Sequence, residues 1–267
     1  MKKLSIFAVV IAAMAFAACG GNKSEKAPEA ADSLKSFEQS QVEQKIKVEL
    51  DSLAAEIGKM KQVPFLTKGE NGYKLSDQEK QAKPEYLLDP AVAENATTLA
   101  EKYRMVSALT VDKAIAELYD MPVDAYQNAI TKLVADINDP SFKAIEDGEN
   151  LYETSQKLYD AMNENGRINQ FWQVVGASLV EEVYALSQNT DKFISAFTDE
   201  TASTVTYRIV LLNEAIGRLA QYDSEFEPVA KAVDALSPLN AINIEQLKEQ
   251  LAQAKEKIAE ARAALIK

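Results

Sequence analysis

The chain has 267 residues with 41 acidic and 29 basic side chains, no histidine and a single cysteine. A formal charge of −12 repels nucleic-acid phosphates and anionic lipid headgroups, so nucleic-acid binding is disfavoured on charge alone. Without histidine there is no imidazole base, no Ser-His or Cys-His nucleophile pair and no imidazole zinc site, and one cysteine closes no disulfide within the chain.

The first twenty residues carry the most specific signal. Lys2 and Lys3 precede an uncharged apolar run, Leu4 to Ala18, which is too short to span a bilayer and has the form of a secretory leader. Phe16-Ala17-Ala18-Cys19, followed by Gly20-Gly21-Asn22, resembles the lipobox of bacterial lipoproteins, with phenylalanine where leucine is usual. The resemblance implies cleavage before Cys19, a thioether-linked diacylglycerol on its sulfur and a further acyl chain on its amino group. Two or more acyl chains anchor a protein stably, at about 0.8 kcal/mol per buried methylene. Cys19 is therefore the expected lipidation site, with residues 1–18 as signal peptide. The absence of aspartate after Cys19 favours the outer membrane by the same analogy, facing the periplasm or the cell surface. Loss of the leader removes two lysines and takes the charge from −12 to −14.

Residues 19–31 are small, charged and Pro-containing, as in a flexible tether. Residues 32–62 lack proline. Ile46, Leu50, Leu53, Ile57 and Met60 repeat at spacings of four and three, which predicts a long helix laid against the body. Residues 63–89 form the one long irregular stretch, and the Asn71-Gly72 turn signal suggests a small hairpin there. A loop of this length is the first place to look for a binding surface.

Residues 90–267 then read as a helical domain. Asp89-Pro90 and Asp139-Pro140 each pair an N-cap with proline at the first helical position. Helices are expected over Pro90–Ser107, Val111–Tyr119, Pro122–Ile137 and Ser141–Asn163, with Asn165-Gly166 as a stop. Arg167 to Tyr222 holds the central pair. Its first helix is apolar around most of its circumference, and its second keeps a stripe of Val205, Ile209, Leu212, Ile216 and Leu219. Thr190 and Thr198 are expected as caps, and Asn243 before a final helix, Ile244–Ile266. The expected fold is all-α: a non-repetitive bundle of about nine helices, with no repeat signature.

Candidate chemistry is sparse. The acid pairs Glu181-Glu182, Asp199-Glu200 and Glu225/Glu227, beside Phe171, Trp172 and Tyr184, have the parts of a carboxylate glycosidase, though acids on solvated faces and aromatics in the core account for them as well. Asp136, Asn138, Asp139, Asp147 and Gly148 offer oxygen ligands without a calcium-loop spacing, and no metal or cofactor is expected. Arg208 lies next to the core stripe, where it is placed either to pair with Glu181 or Glu182 and fix helix register, or to hold an anionic ligand. Trp172 and Arg208 are the two candidate ligand-binding residues. The strings Lys83-Pro84-Glu85-Tyr86-Leu87-Leu88-Asp89-Pro90 and Phe197-Thr198-Asp199-Glu200 resemble those of uncharacterised all-helical lipoproteins of Bacteroides-type bacteria. The leading expectation is a non-enzymatic, lipid-anchored envelope protein that binds another envelope component. The alternatives are a small-molecule or glycan binding module and a carboxylate-dependent glycoside hydrolase.

Overall fold

Among the described residues, apolar stripes separated by short polar breaks make helices and no strand. The structure, a computed structural model, describes residues 45–59, 63–67, 72–144 and 155–266, and every regular element among them is helical. The chain divides into a unit 1–46, of which only residues 45 and 46 are described, both helical, and a unit 47–267 that holds the rest. Cys19, the expected leader and tether, and residues 32–44 and 60–62 of the expected long helix lie outside the described residues.

Residues 45–58 form α1, whose buried positions are Leu50, Ala54 and Ile57. Its polar face is tied to α5 (Ser155–Glu164): the Tyr159 hydroxyl donates to Asp51, and Lys47 Nζ donates to Asn163 Oδ1 at 3.1 Å. Residues 63–89 hold a 3-10 turn at Pro64–Leu66 and the short helix α2 (Asp77–Gln81), which starts from a Ser76/Glu79 capping box. No strand forms among the described residues around the expected hairpin, and Asn71 itself lies outside them. The 3-10 turn instead directs Phe65 and Leu66 into the core.

The next boundary differs from the sequence expectation. Pro90–Asn95 is a 3-10 turn capped by Asp89, and α3 then runs unbroken from Leu99 to Leu118, across the gap expected at 108–110. Thr98 and Glu101 form a capping box that restarts the chain, and no Gly or Pro follows to interrupt it. The backbone N–H of Thr98 foremost, with that of Thr97, holds the Glu101 carboxyl down at about 2. Helix α4 (Asp124–Ile137) ends at Asn138, which takes the left-handed conformation with φ 51°. Asp139 then caps the 3-10 turn Pro140–Ala144 by accepting the Ser141 N–H. Helix α5 stops where expected, at Gly166 with φ 68°, as the Arg167 N–H reaches back to Met162 O at 2.7 Å.

The central helix α6 (Ile168–Gln188) is followed by the short α7 (Thr190–Phe193) and by α8 (Asp199–Ala220). Thr198 caps α8 through a box with Thr201, whereas Thr190 does not cap α7, because its hydroxyl bonds back to Leu186 O at 3.0 Å. Helices α9 (Glu227–Asp234) and α10 (Ile244–Leu265) complete the bundle, the latter capped by Asn243 as expected.

α6 packs against α3, α5, α8, α9 and α10, which is why its apolar residues run around the whole helix. Phe171, Trp172, Val174, Val175, Leu179, Val180, Val183 and Leu186 are all buried. α3 runs parallel to it, with Ser107 meeting Val174 and Asp112 meeting Arg262 of α10 and Glu181. α8 runs antiparallel, with Ile216 against Gly176 and Arg208 against Glu182.

Gly176 lets α8 and α9 approach. A Cβ there would lie 2.6 Å from Val229 Cγ2 and 2.7 Å from Ile216 Cδ1, and the valine, stiff about χ1, has no easy retreat. Gly217 meets nothing within 4 Å and permits no such crossing. Gly176→Ala should therefore destabilise the protein by about 1–3 kcal/mol through overpacking. Gly217→Ala should stabilise it by about 0.5–1 kcal/mol by removing a helical glycine. Urea unfolding of both variants checks the opposite signs.

Candidate functional site

Five polar side chains are buried along α6, at Gln173, Ser178, Glu181, Glu182 and Ser187. Residues at i and i+1 of a helix point about 100° apart, so Glu181 and Glu182 face different neighbours. Glu182 turns to α8, where it accepts from Arg208 Nη2 at 2.6 Å and, weakly, from Ser178 Oγ at 3.4 Å. Both partners are sealed, with Glu182 at 0% and Arg208 at 1% exposure. Burial pushes the Glu182 carboxyl up, and Arg208 pulls it back. The expected ion pair thus exists, with Glu182 rather than Glu181 as the carboxylate, and it crosses the α6–α8 contact where it fixes register.

Glu181 turns to α10. Arg262 grips it with Nε at 2.9 Å and Nη2 at 2.7 Å, and the same guanidinium lies over the Tyr184 ring, 4.3 Å from its centroid. Asp112 of α3 stands beside the pair, 3.5 Å from Arg262 Nη2, and accepts the Leu88 N–H at 2.7 Å. Residues 86–89 cross this cluster as a strap. The Tyr126 hydroxyl donates to Leu88 O at 2.7 Å, Asn189 Nδ2 donates to the Tyr86 hydroxyl at 3.0 Å, and the Tyr86 ring stands edge-on to Tyr184. Burial, with Asp112 next, pushes the Tyr126 hydroxyl up to about 12, and burial likewise raises Tyr86. Gln173 makes the third polar tie, accepting from Arg104 Nη1 at 3.0 Å and donating to Glu225 O at 3.1 Å.

Trp172 sits in the closed interior with no exposed surface, edge-on to Phe171, and its indole Nε1 has no hydrogen-bond partner. Phe171 is equally sealed and Tyr184 is covered by Arg262, so these three aromatics present no platform for a sugar. The three acid pairs do not share one environment. Glu181 and Glu182 are buried and held by arginines, whereas Asp199, Glu200, Glu225 and Glu227 are exposed. Asp199 accepts the Ile244 N–H, and Glu227 pairs with Lys231. Asn138 and Asp139 act as caps, Asp147 and Gly148 lie outside the described residues, and no group of three potential metal ligands occurs among those described.

A cleft of about 290 Å³ opens between residues 65–74 and α3, walled by Phe65, Leu66, Tyr73 and Leu118, with Lys74 and Glu117 among its polar lining. Phe65 is held by a parallel stack on Phe193 at 4.3 Å, and the Tyr73 hydroxyl donates to Lys192 O at 3.0 Å. The cleft lies in the irregular stretch singled out from sequence, and neither Trp172 nor Arg208 lines it. The chain matches no known family, no curated protein and no solved structure. Function must therefore be argued from its own residues.

Sequence reasoning missed Asp112 and Arg262. Asp112 continues the stripe of Met105, Leu109 and Ala116 on α3, and Arg262 continues that of Leu251, Ala254 and Ile258 on α10. A charge occupying an apolar stripe position was the available signal, and it appears on both helices. For the Arg208–Glu182 pair, removing one partner strands a buried charge. Arg208→Met should cost about 3–5 kcal/mol, and adding Glu182→Leu should recover most of it. Denaturant midpoints of the single and double variants check this, and equal midpoints would contradict it.

Proposed function

We propose that this protein is a bacterial lipoprotein that presents an acidic helical body to another component of the cell envelope and works by interaction rather than by chemistry. The observation that carries the reading is the position of the lone cysteine, Cys19, directly after a charge-free apolar run and the small residues Ala17-Ala18. Two or more acyl chains on that residue would anchor the chain stably. No helix among the described residues is long and apolar enough to cross a membrane, so those residues supply no second mode of anchoring by a spanning helix. The body favours an interaction role because its buried charges are engaged with one another and its largest aromatic is sealed in the core. The outer membrane is its expected location, facing either the periplasm or the cell surface.

A second reading rests on the cleft beside Tyr73, whose apolar walls and mixed-charge lining suit a small ligand with a nonpolar body. Ala114 lines that cleft from α3, and Ala114→Phe should fill it. If the protein is a binding module, a ligand that raises its melting temperature will lose that effect in the filled variant.

The anchor is tested by Cys19→Ser. The variant should lose its lipid, move from the membrane to the soluble periplasmic fraction, and keep its helical circular dichroism. Continued membrane retention would refute lipid as the dominant anchor. Crosslinking the native protein in intact cells, followed by mass spectrometry, should recover a stoichiometric envelope partner under the first reading and none under the second.

A further inference from the structure

The Asp112 cluster is the buried group whose charges do not balance. Asp112 and Glu181 both have fully buried side chains, and the one cation that reaches them, Arg262, makes its two short contacts to Glu181. Two ionised carboxylates against one guanidinium in a dry interior repel each other without full compensation. The oxygens of Asp112 also differ. Oδ2 accepts the Leu88 N–H at 2.7 Å, while Oδ1 is buried and has no hydrogen-bond partner. Glu181 and Asp112 share Arg262 Nη2, which lies 2.7 Å from the first and 3.5 Å from the second. A proton on Oδ1 turns that orphaned oxygen into a donor and removes the excess charge in the same step.

We propose that Asp112 holds a proton beside the Glu181–Arg262 pair and that this neutral acid is a latch, keeping the strap of residues 86–89 closed on α3 while the proton is present and loosening it when the proton leaves. The inference does not depend on the lipid anchor or on the cleft. The groups facing Asp112 are Glu181 and Tyr184 from α6, Arg262 from α10, Tyr126 from α4 and Tyr86 from the strap itself. The tyrosines are neutral, with hydroxyls raised by burial, which leaves Arg262 as the compensating cation. Burial first, and the Glu181 charge second, push the Asp112 carboxyl well above the usual carboxylate range, against the pull of the Leu88 N–H and Arg262.

The direction of the pH effect follows from linkage. The closed latch holds the proton and the opened, hydrated Asp112 does not, so closure is fully stabilised below the ordinary carboxylate pKa of about 3.9. As pH rises from there towards the raised pKa, the opening constant climbs about tenfold per unit, and it levels off above that pKa. The strap is the element released, because Leu88 loses the acceptor of its N–H once Asp112 turns towards water.

The test is carried out on the full chain. The ¹³C shift of the Asp112 carboxyl should still be that of a neutral acid at a pH where an ordinary aspartate, of pKa about 3.9, is ionised. An ionised Asp112 there would overturn the protonated latch, and this measurement needs no variant. Hydrogen exchange at the Leu88 amide, corrected for its intrinsic base catalysis, should report an opening constant that climbs about tenfold per pH unit in the unaltered chain. The same measurement should be flat in Asp112→Asn, whose amide is uncharged at every pH and still offers Leu88 an acceptor. A neutral Asp112 combined with pH-independent exchange at Leu88 in the unaltered chain would overturn the latch.

Discussion

Burial of α6 on every side is the constraint that the rest of the structure obeys. A helix with neighbours around its whole circumference has no solvated face on which to place a polar residue, yet this one carries Gln173, Glu181 and Glu182. Each must then find its partner inside the protein, because an unpaired buried charge costs several kcal/mol. The partners come from three of the neighbouring helices: Arg104 from α3, Arg208 from α8 and Arg262 from α10. Apolar contact alone would let these helices slide and rotate over α6. The guanidinium contacts do not, because each requires one rotation and one register. They contribute less to stability than to uniqueness, since apolar residues of similar volume commonly replace such pairs at no loss.

The same arrangement explains why the chemistry suggested by the composition does not assemble. Paired acids and nearby aromatics are the materials of a glycosidase, but here Glu181 and Glu182 are held by arginines and Phe171 and Trp172 fill the core. Among the described residues, the cleft beside Tyr73 stays open where the irregular stretch crosses α3.

Much of the architecture was legible in the sequence because it rests on local signals. The stripes of α6 and α8, the caps at Thr198 and Asn243 and the stop at Gly166 are written within a few residues of where they act. The expected breaks misplace α3: Pro90 opens a 3-10 turn, and it is the T-x-x-E box at Thr98 that starts the long helix. The site was less legible. Arg208 could be assigned to the Glu181-Glu182 pair because a charge beside a core stripe has few places to go, but choosing Glu182 requires the rotation of α6. Asp112 and Arg262 meet across 150 residues, and periodicity within a helix carries no information about which helix will lie opposite.

The separation of Arg262 from its partner also bears on the order in which the chain can fold. The Arg262–Glu181 contact spans 81 residues, whereas Arg208 lies only 26 residues beyond Glu182. During N-to-C synthesis α3, α6 and α8 emerge first and already hold much of the apolar surface of the core, while Glu181 still lacks its cation. Closing those helices over a naked carboxylate is unfavourable, so the buried seat of Glu181 depends on α10, which is made after them.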